Sequence, residues 1–279
     1  MLSCSSKYRE LFNSTINYIF VLLYLHLVKM TVKLPSFFKL YSVKDLIRLG
    51  KHNDGGYLVT RSSVLKSTVL VSLGINDDWS FERDFIKKNN LRLNAYDASI
   101  DKFVFFKRFI KSLFWFYKPR LFLKNAVVFF DFILFFRHKR RHIKKFVGLN
   151  SDSELYCSLE SILEQFQEET IFLKIDVEGF EYRFLETIIK YQDKVCGLAI
   201  EFHDCDLHIL KIKNFIEHLR LDLVHVHANN YAPINLDNGL PLVLELTFSE
   251  GPSLETIIAL PHPLDMPNNP AKKEITLTF

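Results

Sequence analysis

The chain has 279 residues, 48% of them hydrophobic and 24% charged, with a formal net charge of +4. That length holds one large domain with appendages or two small ones, and the composition is that of an ordinary globular protein and excludes the disordered class. Four cysteines without a CxxC spacing or a disulfide-like framework point to a reduced, cytoplasmic compartment rather than a cross-linked secreted scaffold.

Near the N-terminus, Tyr18 to Leu25 is an uninterrupted apolar run, extended by Leu27 and Val28 and broken by His26. It falls short of the ~20 residues a spanning helix needs. The stretch from Lys29 to Lys33 offers no small-residue cleavage site. Residues 1–42 read as an N-terminal extension: a membrane-touching anchor, an amphipathic helix packed on the body, or a stretch upstream of a start at Met30. Residues 43–279 read as one domain.

From Val43, VKDLIRLG reads as a helix stopped by Gly50, and NDGGYLV (53–59) as a turn entering a short strand. TVLVSLG (68–74) is a β-rich run ending in glycine. DWSFERDFIKKNN (78–90) has helical apolar spacing, with Asp78 or Ser80 able to cap it. LRLNAYD (91–97) is a strand ending in an acid. Residues 101–145 stand apart as an insertion. KFVGL (145–149) reads as a strand, SLESILEQF (158–166) as a helix, IFLKID (171–176) as a strand and 179–191 as a helix. VCGLAIEFH (195–203) is a strand and 208–220 a helix. LDLVHVHA (221–228) and LVLELTF (242–248) are two last strands joined by a loop rich in Asn, Pro and Gly.

Alternating β and α units with near-continuous apolar strands predict an α/β fold, a mostly parallel sheet with helices on both faces. The last two strands follow one another without a helix, so one of them runs antiparallel. Ligands of such sheets sit beyond the carboxyl ends of the strands. Those ends carry Gly74, Asp97, Asp176 with Glu178, His203, and His227 followed by Asn229 and Asn230. Helix capping or tight turning explains one or two of these, Gly74 and Glu178 for example, but not all five. Lys174 reads as a strand residue whose amine reaches the surface.

The first strand turns through G-I-N-D-D, with one glycine where a dinucleotide fingerprint has three. Asp77 and Asp78 lie where a pyrophosphate would, and two anions there repel phosphate and tolerate a cation. Asp97, 23 positions after Gly74, suits ribose hydroxyls. A positively charged nucleoside without phosphate fits both, and S-adenosylmethionine is such a molecule.

The strings NDGGYLV, VSLGINDDWSFERDF, FLKIDVEGFEYRFLE, LAIEFH and HVHANNY…LPLVLELTF resemble the FkbM-type family of S-adenosylmethionine-dependent methyltransferases. They run in family order over roughly residues 45–250, and KIDVEGFE is the most specific of them. The resemblance implies a seven-stranded class I methyltransferase sheet, Rossmann-like, and O-methylation. The expected acceptor is a sugar hydroxyl of a glycan or lipid-linked saccharide. It implies that Gly74 is the cofactor-loop glycine, with Asn76 in that loop where a second glycine is common. Asp97 becomes the ribose acid, and Asp176 and Glu178 face cofactor and acceptor.

A hydroxyl acceptor needs a positioned base, histidine most often. His203 is the first choice, with His227 or Asp176 as rivals. The same three residues could hold a divalent metal that lowers the acceptor's pKa, although a metal-free base is the preferred reading. Two other functions stay open: a metal-dependent hydrolase using Asp176, His203 and His227, and a noncatalytic module that lost the cofactor through its glycine-poor loop.

Within 101–145 lie thirteen Lys and Arg against two acids, a net of +11, together with fourteen aromatic residues. RHKRRHIKK (137–145) is its most basic block. Such a segment suits an anionic membrane surface at the inner face or an anionic acceptor. Nucleic acid is disfavoured, because no RNA-binding signature accompanies it. A helical lid that buries its aromatics is the structural alternative.

Overall fold

The computed structural model describes residues 31–114, 118–148, 153–251, 254–255 and 260–279. Its central sheet has strands β1 (Val69–Leu73), β2 (Arg92–Tyr96), β3 (Arg140–Ile143), β4 (Ile171–Ile175), β5 (Val195–Phe202), β6 (Asp222–Ala228) and β7 (Leu244–Ser249). Their order is β3-β2-β1-β4-β5-β7-β6. Only β7 runs antiparallel to its neighbours; the other pairs are parallel. This is the seven-stranded order that the resemblance implies, with its antiparallel last strand. The chain grows outward from β1 to β3 and then crosses back to β4, so the switch point lies between β1 and β4. Gly74 and Asp176 mark that point.

β1, β4 and β5 are buried along their whole length. Both sheet faces are covered, which is why these strands read as continuous apolar runs. Alternation sends Val69, Val71 and Leu73 with Ile171, Leu173 and Ile175 into one core, and Leu70 with Phe172 into the other. The helices are α1 (Arg61–Lys66), α2 (Ser80–Lys88), α3 (Lys102–Leu113), α4 (Pro119–Phe135), α5 (Leu159–Glu164), α6 (Leu185–Lys190) and α7 (Cys205–His218). Side-chain caps start three of them: Thr60 accepts from the Ser63 amide, Asp101 from Val104 and Ser158 from Ser161.

Several expectations need correction. Residues 43–50 are not a helix, because Leu46–Leu49 pairs antiparallel with Tyr57–Thr60. The turn between them needs Gly50 and Gly55 at φ of 92° and 82°, and tertiary pairing overrides the helical pattern. This hairpin crosses one face of the sheet, where Thr247 Oγ1 donates to the Leu58 carbonyl at 2.6 Å. The span 179–191 breaks into a short 3-10 turn, Glu181–Arg183, and α6.

The segment 101–145 is not wholly an insertion. Its last residues form β3, which pairs with β2 in the register Leu93 to Arg140. Charge hid this strand from pattern reading, yet charge is what edge strands use to resist further pairing. KFVGL (145–149), expected as a strand, gives Phe146–Gly148, which among the described residues pairs with Tyr156–Ser158 rather than with the central sheet.

Residues 1–30, with the apolar run, lie outside the described residues. Residues 31–42 pack into the body, where Val32, Leu34, Phe38 and Leu40 are buried. No helix among the described residues is long and apolar enough to cross a membrane.

Candidate active site

At the switch point the ends of β1 and β4 nearly touch. Gly74 has φ of 74°, and a Cβ added there would lie 1.8 Å from the Asp176 carbonyl oxygen. Only glycine fits both constraints. The next turn is held by Asp97 at the end of β2. Its Oδ2 accepts from the amides of Ile75 (3.0 Å) and Asn76 (2.8 Å). Its Oδ1 accepts from Ser99 through N (2.8 Å) and Oγ (2.6 Å). Asn76, at φ of 44°, is thereby fixed in a left-handed conformation.

Asp97 therefore shapes the loop as well as facing it. Asp97→Ala should lower the melting temperature and weaken S-adenosylhomocysteine binding together, since bonds to a charged acceptor are worth about 1.5–3 kcal/mol each. Calorimetry beside a thermal melt checks this; a lowered melting temperature with unchanged affinity would leave Asp97 a purely structural role. The two acids after Asn76 are partly compensated. Asp78 accepts from the Ser80 amide at 3.0 Å and pairs with Lys51 at 2.9 Å, and Asp77 faces Arg108 at 3.7 Å.

On β4, Lys174 does not reach the surface as expected. It is 5% exposed, and its Nζ donates to the Gly74 carbonyl at 2.8 Å and to Asp176 Oδ2 at 3.2 Å. Burial pulls its pKa down, but the charges of Asp176 and Glu82 outweigh this and raise it. The amine ties β1 to β4 and holds the Asp176 carboxylate in place. Tyr57, brought across by the 46–60 hairpin, places its hydroxyl 3.1 Å from Asp176 Oδ2 and 3.0 Å from Glu201 Oε2. Burial, then the charges of Asp176 and Glu245, push the Glu201 carboxyl well above its ordinary value.

His203 follows β5. Glu181, fully buried, accepts from the His203 amide at 2.6 Å and lies 3.3 Å from its Nδ1. A carboxylate only accepts, which assigns a proton to Nδ1 and turns Nε2 toward Glu178 (3.5 Å) and Glu201 (3.8 Å). Burial lowers the His203 pKa, but the bond to Glu181 and the charges of Glu201, Glu181 and Asp176 lift it to about 9.

In an extended strand Glu178, two positions after Asp176, would share its side. Instead the strand ends at Ile175, and Glu178 and Gly179 take φ of 52° and 96°. This turn still swings the exposed Glu178 carboxylate back to His203. Asp176, Glu178 and His203 thus offer ligand atoms within 4.8 Å of one another.

His227 does not join them, contrary to expectation. It is buried on β6, with Nδ1 3.1 Å from Glu245 and Nε2 2.9 Å from Glu274, so both nitrogens are occupied. Register explains the displacement: His227 lies opposite Glu245 of β7, and Glu245 opposite Glu201 of β5. The set of Asp176, His203 and His227 is therefore not a metal site, and Glu178 takes the place given to His227. Sequence reasoning missed Tyr57, Glu181 and Glu201 as site residues. Of these, Glu201 carried a signal, sharing a strand face with His203. An open cleft of about 490 Å³ runs beside β3, lined by Asp101, Phe132, Arg140 and His142 among others, and shares no residue with this cluster.

No protein-family model matches the sequence, and no curated protein matches it. Among solved structures, the chain is similar to an rRNA methylase from Streptococcus thermophilus (14% identity, TM-score 0.34, covering 68% of this chain and 94% of that one). It is also similar to a fibrillarin pre-rRNA processing protein of Methanococcus jannaschii (9%, TM-score 0.33, covering 67% and 68%). A third is a precorrin-6y C5,15-methyltransferase from Geobacter metallireducens (10%, TM-score 0.33, covering 68% and 85%). The fold assignment rests on the strand order, not on these likenesses.

Proposed function

We propose that this chain is an S-adenosylmethionine-dependent O-methyltransferase in which His203 Nε2 receives the acceptor's proton. The observation that carries the reading is the convergence of Asp176, Glu178 and His203 beside the β1/β4 switch point of a class I sheet. The donor set fits the cofactor: Asp77, Asp78, Asp97 and Asp176 lie around the β1 turn against three cations, Arg108, Lys51 and Lys174, and this small acidic excess suits a sulfonium better than a phosphate. When bound, the cofactor supplies an already activated methyl group. The protein's part is to align the acceptor, exclude water and take a proton. Glu181 fixes the histidine ring through Nδ1, and the exposed Glu178 carboxylate can accept hydrogen bonds from acceptor hydroxyls. A glycan or lipid-linked saccharide as acceptor, and a cytoplasmic setting at the inner membrane face, rest on the FkbM-like strings and the basic segment.

Titration calorimetry with S-adenosylhomocysteine, with and without EDTA, tests the reading. Binding that ignores EDTA is the expected result. A folded protein that binds neither S-adenosylhomocysteine nor S-adenosylmethionine would instead be a noncatalytic module. A second reading has one observation in its favour: Glu181 on Nδ1 leaves Nε2 free to join Asp176 and Glu178 around a divalent cation. Turnover lost in EDTA and restored by Mn²⁺ would select it.

A further inference from the structure

α3 and α4 pack on one another as a hairpin between β2 and β3. Its root is built into the body: Phe105, Phe132 and Phe135 are buried, and the Trp79 ring lies 5.9 Å from Phe105 and 5.5 Å from Phe132. Beyond the root, large apolar side chains are exposed among the described residues. On α4, Leu123, Val127, Phe130 and Leu134 recur at steps of four, three and four, which is one helix face, and they are 54% to 62% exposed. On α3, Phe103, Phe106 and Leu113 form a matching stripe, followed by Phe114 at 76%. The stripes meet where Phe106 lies 5.6 Å from Phe129 and Phe109 lies 6.0 Å from Phe130. Exposed apolar side chains gathered on two packed helices mark an interaction surface.

Charge decides what covers it. Lys102, Lys107, Lys111, Arg120 and Lys124 are exposed along the same two helices. Both acids of the hairpin are engaged inward. Asp101 caps α3 and pairs with Lys144 at 2.6 Å, and Asp131 accepts from Arg83 at 2.7 Å and from Trp79 Nε1 at 2.9 Å. The outer surface therefore presents apolar stripes with cationic margins. A second copy would set these like charges against each other across a two-fold axis. RNA would meet the cations and leave eight large apolar side chains wet. A bilayer carrying anionic headgroups satisfies both at once.

We propose that the α3–α4 hairpin docks this protein on anionic lipid membrane, with its apolar stripes entering the interfacial layer and its Lys and Arg meeting the headgroups. The docking element is the hairpin, not the block 137–145, which supplies the edge strand. The proposal stands independently of the acceptor.

The test uses the full chain with vesicles of phosphatidylcholine alone and of phosphatidylcholine mixed with phosphatidylglycerol. Two variants are compared with it, each checked by its circular dichroism melt. The charge variant carries Lys107→Glu, Lys111→Glu, Arg120→Glu and Lys124→Glu. The apolar variant carries Phe114→Ser, Leu123→Ser, Val127→Ser and Phe130→Ser. The unaltered chain should prefer the anionic vesicles and lose them as salt rises. Each basic residue near such a surface is worth about fivefold, so loss of four attractions alone weakens binding roughly 10²–10³-fold, and the charge variant, which also adds repulsion, should bind at least that much more weakly. The apolar variant should also lose binding while keeping its fold.

Equal binding to both vesicle types, or undiminished binding by either folded variant, overturns the proposal and places any attachment elsewhere, residues 1–30 included. A concentration-dependent dimer abolished by the apolar variant makes the face a contact between copies. RNA binding lost in the charge variant alone, without vesicle binding, makes it a nucleic-acid surface. Either result also overturns the proposal.

Discussion

Replacing His203 by Asn is expected to reduce methyl transfer by about 10²–10⁴-fold while S-adenosylhomocysteine affinity stays intact. Asparagine keeps a polar group near Glu181 and cannot take a proton at the Nε2 position. The pH profile carries the sharper test. His203 is held at about 9 by its carboxylate neighbours, so at neutral pH most of the free protein carries imidazolium there, which cannot act as a base. The value of kcat/KM, which reports the free enzyme, should therefore rise with pH toward about 9. Glu181→Gln removes one carboxylate that holds the proton, so the rising limb should move to lower pH.

The sign for stability is opposite. A histidine raised above its unfolded value of 6.5 stabilises the fold fully below that pH, and the contribution fades as pH climbs through about 9. Activity should thus rise over the window in which this contribution is lost. Wild-type turnover in His203→Asn, or a profile in which its rising limb persists, would remove the residue from proton transfer.

What the sequence made legible followed physical pattern. Strands buried on both faces announce themselves as apolar runs, and β1, β4 and β5 were readable for that reason. The antiparallel β7 was legible from the missing helix between the last two strands. β3 was not, because Arg140, Arg141 and His142 on an edge strand look like a solvated charge block. The hairpin 46–60 was not, because LIRL fits either period and its partner strand decides. At the site, Asp176, Glu178 and His203 were found as polar residues at strand tips. Tip position alone also admitted His227, which sheet register sends to Glu245. Glu181 left no trace, since its role depends on a left-handed turn at Glu178 and Gly179 that brings a buried carboxylate under the histidine.

Lys174 is where strand pattern and structure disagree most, and its removal should be costly. Lys174→Met should destabilise the fold by about 3–5 kcal/mol in urea unfolding, the range for breaking a buried pair from one side. The amine donates to the Gly74 carbonyl and to Asp176, and the Glu82 charge lies close enough to raise its pKa. Methionine fills similar space and leaves Asp176 and the buried Glu82 without their cation. Glu82→Gln keeps a partner for the Ser72 hydroxyl, which Glu82 accepts from, while removing the charge. The double variant should therefore lose less than the sum of the two single losses, and the difference measures the coupling. The same amine links the Gly74 carbonyl of the β1 turn to the Asp176 carboxylate, so if that turn holds the cofactor as proposed, S-adenosylhomocysteine affinity should fall in Lys174→Met even where the protein remains folded. A loss below about 1 kcal/mol, the range of exposed ion pairs, would show that the amine finds water in solution and that Asp176 is positioned by Tyr57 alone.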